Sequence, residues 1–149
     1  MLRSGMLALV IAALGCGPKD APQVNSPDAN GTAAGTAGLA SSVEIEVRPD
    51  TVRLVLHVTN PSNQPVRLEF NSGQRYDFAI RTAGGADVWT WSADKLFAQA
   101  VGTETIAPGA TLDYAETWAP GNRKGSFVAI ARLASTSHPI SEQAAFQVP

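Results

Sequence analysis

From Val43 onward, large apolar residues recur at every second position, and this constrains the fold more than any other feature of the chain. Val43, Ile45 and Val47 alternate with Glu44, Glu46 and Arg48, and then Val52, Leu54, Leu56 and Val58 alternate with Arg53, Val55, His57 and Thr59. Side chains of an extended strand point to opposite faces in turn, so period two with β-branched residues predicts half-buried antiparallel strands. Asn60 to Pro65 reads as a turn into a third strand at Val66 to Phe70. Further strands are expected at Arg75 to Arg81, Asp87 to Ser92, Thr103 to Ile106, Thr111 to Trp118, Ser126 to Ala134 and Ile140 to Val148. Glycine or proline turns, such as Ala83 to Ala86 and Ala107 to Ala110, punctuate them. The expectation is an all-β fold, an immunoglobulin-like antiparallel β-sandwich of about seven to eight strands occupying residues 42–149 as one domain. Only Ala93 to Gly102 lacks strand character, and there Leu96, Phe97 and Ala100 would share one side of a helical turn.

The amino-terminal segment follows different rules. Arg3 precedes an unbroken apolar run from Met6 to Leu14, which ends at Gly15-Cys16. Such a run is shorter than the roughly 20 residues needed to span a bilayer but suits the central region of a signal peptide, here residues 1–15. Ala13-Leu14-Gly15-Cys16 resembles the lipobox of bacterial lipoproteins, with alanine where leucine is more usual. The resemblance implies cleavage before Cys16, lipidation of its sulfur, and a place in the cell envelope, anchored to a bacterial membrane after export. Each buried acyl methylene would add about 0.8 kcal/mol to that anchor. Residues 16–41 carry small and turn-forming residues with little to bury, and so read as a flexible tether behind the lipidated cysteine.

Composition excludes several functions. The formal net charge is -2 and the eleven Lys and Arg are scattered, so no basic stripe exists to follow a nucleic-acid backbone. One cysteine and two distant histidines give no metal-ligand spacing, and neither a metal nor another cofactor is expected. No nucleophile elbow surrounds any serine, and the acids are spread along the strands, so no catalytic residue is expected. Glu116 shares its parity with the apolar Leu112, Tyr114 and Trp118, a position expected to mark a strand end.

Two stretches are candidates for partner binding. Trp89 and Trp91 stand one residue apart, and Gln74, Tyr76, Phe97 and Gln99 lie near them in sequence; together these six form a candidate partner-binding surface of the aromatic-rich kind found at interface centres. The competing reading makes at least one tryptophan the plug of the core and gives the glutamines to buried backbone. Asn122, Arg123 and Lys124 are the second candidate, an inhibitory loop suited to an acidic specificity pocket, against the reading of a solvated hairpin tip.

Phe70, Ser72, Gly73, Gln74, Tyr76, Asp77, Phe78, Val88, Trp89, Trp91, Ser92, Phe97, Gln99, Ala100, Pro108, Gly109 and Trp118 together follow the pattern of the BsuPI-type intracellular proteinase inhibitor family, which most of Val43 to Val148 resembles. That resemblance implies an all-β sandwich and, for the family's namesake, inhibition of an intracellular serine protease. An exported chain would meet a different protease. The expected function is therefore a membrane-anchored module that binds a protein partner, with a serine protease as the specific version. A non-inhibitory envelope interaction module and a carbohydrate-binding domain are the other readings.

Overall fold

A computed structural model describes residues 31–34 and 38–149, the first group as backbone only. Among the described residues ten strands run in chain order: β1 (Gly31–Ala34), β2 (Ala40–Val47), β3 (Val52–Thr59), β4 (Val66–Phe70), β5 (Tyr76–Thr82), β6 (Asp87–Thr90), β7 (Gly102–Ile106), β8 (Thr111–Trp118), β9 (Gly125–Leu133) and β10 (Ile140–Val148). They form a sheet β1-β2-β3-β8, a second sheet β10-β9-β5-β6, and a two-stranded ribbon β4-β7. Every pairing is antiparallel. The all-β sandwich expected from alternation is the fold.

Register places the alternation where it is useful. Leu54, Leu56 and Val58 of β3 lie opposite Glu116, Tyr114 and Leu112 of β8, all on the inner face. From the other sheet come Phe78 and Ile80 of β5 with Phe127, Ala129 and Ala131 of β9, and one apolar cluster joins the two layers. Full burial of each large member is worth roughly 1.5–3 kcal/mol. Trp118 closes one end of that core, edge-on to Phe127 at 5.4 Å and to Phe146 at 6.3 Å between ring centroids.

Polar groups inside the sandwich are paired. The Ser41 hydroxyl donates to the buried Glu142 carboxylate at 2.5 Å, which ties β2 to β10. Asn60 is fully buried and joins two turns: its Nδ2 donates to the carbonyls of Gln64 (2.7 Å) and Ile106 (3.0 Å), while its Oδ1 accepts from Ser62 N–H and Oγ. Its backbone bonds Ala110 and Gly109 as well. The turn chemistry of Asn60 to Pro65 is thus locked to the Pro108-Gly109 turn, where Gly109 takes a φ of 71° that other residues rarely adopt.

The structure departs from the alternation reading in three places. First, the boundary at Ser42 falls inside a strand, because β2 begins at Ala40, Leu39 and Ser41 are buried, and β1 pairs with β2 within the stretch read as tether. Backbone pairing needs no large side chain, which is why composition missed it. Cys16 and residues 1–30 lie outside the described residues. Second, the strand expected to reach Ser92 stops at Thr90, and Trp91–Asp94 form a 3₁₀ turn. Asp77 draws the chain out of the ladder by accepting from Ser92 Oγ (2.6 Å) and Ser92 N–H (3.2 Å). Third, Ala93 to Gly102 makes no further helical turn; the backbone is already extended at Lys95, and Leu96 is fully exposed rather than packed beside Phe97.

On the outer face of the first sheet, His57 lies between Asp113 (Nδ1 to Oδ1, 2.7 Å) and Glu44 (Nε2 to Oε2, 3.2 Å). The hydrogen bond to Asp113 raises its pKa above 6.5, against the opposing effect of burial. A raised folded-state pKa means that the stabilisation is complete below 6.5 and disappears as pH rises through the folded value. Urea denaturation of the wild type and His57→Asn across this window should show the difference between them shrinking as pH rises. Asn60→Ala should lower stability by about 1–3 kcal/mol, because the Ile106 and Gln64 carbonyls lose their donor; the shift of the urea midpoint measures it.

Candidate functional site

Side chains with binding chemistry gather at one end of the sandwich, where β5 begins, β9 ends and the segment from β6 to β7 crosses between sheets. Tyr76, the first residue of β5, faces inward with Phe78 and carries the cluster. Its ring stacks on Trp91 (4.5 Å, 26° between planes) and lies 4.9 Å from Tyr114 of β8. Trp91 in turn meets Phe97 at 5.7 Å, and Lys95 Nζ sits 4.7 Å above the Trp91 ring. Offset aromatic stacking and the cation above the ring each contribute about 0.5–1.5 kcal/mol, so the segment after the 3₁₀ turn is held down by Trp91 on both sides of Leu96.

Two phenols anchor this stack to acids. Tyr76 Oη donates to Glu116 Oε1 at 2.6 Å, and Tyr114 Oη donates to Glu104 Oε2 at 2.8 Å. Burial, then the neighbouring carboxylate, pushes both phenol pKa values far above 10, so both remain protonated donors. Glu116 therefore has a partner on the opposite sheet; it does not merely mark a strand end, as its parity suggested. Glu104 also accepts from Arg75 Nε at 2.9 Å, while Arg75 donates to the Ser72 carbonyl and lies 4.4 Å over the Phe70 ring. Gly102 lies close beside it: a Cβ there would stand 2.3 Å from the guanidinium, so the Arg75 side chain would have to shift.

Loop residues complete the end. Gly73 N–H donates to the Ala98 carbonyl at 2.7 Å, and its α-carbon lies so close to Ala98 that a Cβ would meet the Ala98 nitrogen at 3.3 Å. Gln74 Nε2 donates to the Tyr76 carbonyl, whereas the exposed Gln99 Nε2 reaches only the Phe97 carbonyl. The β9–β10 turn is bound to β4 by Ser135 Oγ and Thr136, which both donate to the Glu69 carbonyl.

Of the six residues in the aromatic candidate surface, the structure brings Tyr76, Trp91 and Phe97 into one stack, with Gln74 beside it. Trp89 lies opposite Ile80 and packs on the core, and Gln99 projects from the exposed loop. Trp91 has Tyr76 and Lys95 over its ring, and Trp118 is buried, so the tryptophans do not form an open platform. Asn122, Arg123 and Lys124 sit at the other end of β5, because Thr82 pairs with Phe127 there and Tyr76 pairs with Leu133 here. Their turn is tight, with Gly121 and Gly125 at φ 61° and 106°, and Arg123 folds back through N–H and Nη1 onto the Pro120 carbonyl. Among the described residues no group of acids, histidines or cysteines is arranged to hold a metal.

Sequence reasoning missed Leu96 and Val101. Both are large, apolar and exposed, Val101 at 83% and Leu96 completely. The available signal was Lys95-Leu96-Phe97 and then Val101, large apolar residues in a stretch that fits no strand period.

An antiparallel all-β domain with an exposed connecting loop is common to many binding proteins, and sequence comparison narrows the class. Residues 39–138 match the profile of BsuPI, the intracellular proteinase inhibitor family, and the chain belongs to that family. No curated protein matches the chain. Among solved structures it is similar to β-glucosidase 3B from Thermotoga neapolitana in complex with glucose (15% identity, 76% of this chain and 16% of that one, TM-score 0.41). It is also similar to the N-terminal domain of PorA (11%, 70% and 83%, 0.33) and to the GAE domain of GGA2p from Saccharomyces cerevisiae (16%, 81% and 98%, 0.29). The chain thus spans about 16% of the length of the β-glucosidase it matches.

Replacing Glu104 by Ala removes the acceptor of both Arg75 and Tyr114. Because the carboxylate is partly exposed, the expected loss is roughly 1–3 kcal/mol, read from urea unfolding.

Proposed function

We propose that this protein is a non-catalytic, protein-binding module that inhibits a serine protease, lipid-anchored through Cys16 in the cell envelope of a bacterium. The family match over residues 39–138 carries the inhibitory part of this reading. The signal-like run and Cys16 support the anchor, and they imply an envelope or secreted protease in place of a cytoplasmic one.

Physical chemistry supports inhibition over catalysis. His57 is engaged by two carboxylates on an outer sheet face, and the Ser135 hydroxyl is committed to a backbone carbonyl, so neither is poised as a base or nucleophile. A protease inhibitor needs a surface whose shape is fixed before binding, since ordering a loop on association subtracts from affinity. The aromatic stack and the Gly73–Ala98 hydrogen bond supply such fixation at one end of the sandwich.

Titration of a subtilisin-type and a trypsin-type protease with the full chain tests the proposal. Residual activity should fall in proportion to added protein and reach its floor near equimolar amounts. Digestion of the protein, or unchanged protease activity at large molar excess, would refute inhibition and leave a non-inhibitory interaction module. Mass spectrometry of the membrane-extracted product should find diacylglycerol on Cys16, and a free thiol there would refute the anchor.

A further inference from the structure

We propose that the loop Lys95–Val101 is the protease-facing element, with Leu96 as the side chain that enters the enzyme's primary specificity pocket, and that the target is a serine protease with an apolar pocket. This rests on the inhibitory reading above and assigns it a site.

Three properties of the loop converge on that role. Among the described residues Leu96 is the most exposed large apolar residue, and its side chain covers none of the others. A partner that covered it would gain the free energy of taking its apolar surface out of water. The backbone at Lys95 is extended, with φ -109° and ψ 145°, and among the described residues the N–H and C=O of Leu96 bond to no other backbone group. A substrate-like strand can therefore pair with the edge of a protease cleft without first breaking internal bonds.

The third property is rigidity on both sides. Before Leu96, Lys95 N–H donates to the Ser92 carbonyl at 3.1 Å and its ammonium lies over Trp91. After it, Phe97 packs on Trp91 and Ala98 accepts from Gly73. Trp91 is itself stacked on Tyr76, whose phenol is bonded to Glu116. Leu96 thus stands at the crest of a short arch whose feet are fixed to Trp91 and to the loop between β4 and β5. An enzyme that engaged Leu96 would find the residues following it held against the scaffold, so a cut beside Leu96 would leave both ends in place. The Arg123-Lys124 turn lacks these properties, being curled over its own Pro120 carbonyl.

The test uses inhibition constants of the full chain against subtilisin, which has a broad apolar pocket, and trypsin, which has an acidic one. Wild type should inhibit subtilisin far better than trypsin. Leu96→Asp should weaken inhibition of subtilisin by roughly 30-fold or more, the loss typical of a central apolar anchor, and Leu96→Met should retain it. Leu96→Lys should transfer inhibition towards trypsin. The double variant Arg123→Ala with Lys124→Ala should inhibit as wild type does. Because Leu96 is exposed, urea midpoints of its variants should match wild type, which separates loss of contact from loss of fold. Unchanged inhibition by Leu96→Asp, or inhibition lost in the Arg123/Lys124 variant, would overturn the assignment of the loop while leaving the inhibitory function standing. If wild type inhibits neither enzyme, the inhibitory reading itself falls, and this assignment with it.

Discussion

Register is the constraint on which everything else in this domain depends. A slip of one residue between β3 and β8 would carry Leu54, Leu56 and Val58 to the water side and place Arg53 and His57 between the sheets. With both sheets twisted over a shared apolar layer, the pattern has one solution, and the solution decides which polar groups end up inside. Buried Glu142 and Asn60 and half-buried Glu116 are such groups. Each is answered from elsewhere in the chain, by Ser41, by two turn carbonyls and by Tyr76. The buried polar contacts do not drive assembly, but they discriminate among packings that would satisfy the apolar residues equally well.

The candidate site grows from the same constraint. Tyr76 begins β5 on the inward parity, so its ring must lie against β8 and its hydroxyl must find a partner; Glu116 is at hand because it too faces inward. Trp91 then has a flat surface to rest on, and the loop after it acquires anchors before any partner arrives. Affinity in such a system comes from freedom lost during folding, when the core compensates for it, and not during binding.

Much of the fold was legible in the sequence. Strands β2 to β10 lie within about two residues of the alternating stretches, because half-buried strands leave a period that local composition cannot hide. Trp118 fits the core role that tryptophans have in sandwiches. What alternation could not supply were contacts between residues distant in sequence: Asp77 with Ser92, Arg75 with Glu104, Tyr76 with Glu116. The first of these ends β6 early, and so turns an expected strand and helical turn into a 3₁₀ turn and an extended loop. The placing of Leu96 with Phe97 and Ala100 on one side of a helical turn failed for the same reason, since the Asp77–Ser92 bond and the Gly73–Ala98 bond replace that turn.

The shortness of β6 has one more effect. A strand running on through Ser92 would have given the second sheet a straight, unpaired border with free donors and acceptors, open to recruitment by a neighbouring copy. Instead the border is four residues long, begins at Asp87 in an ion pair with Arg81, and is distorted by a bulge between Ile80 and Arg81. A border of that kind discourages a neighbouring copy from pairing along β6.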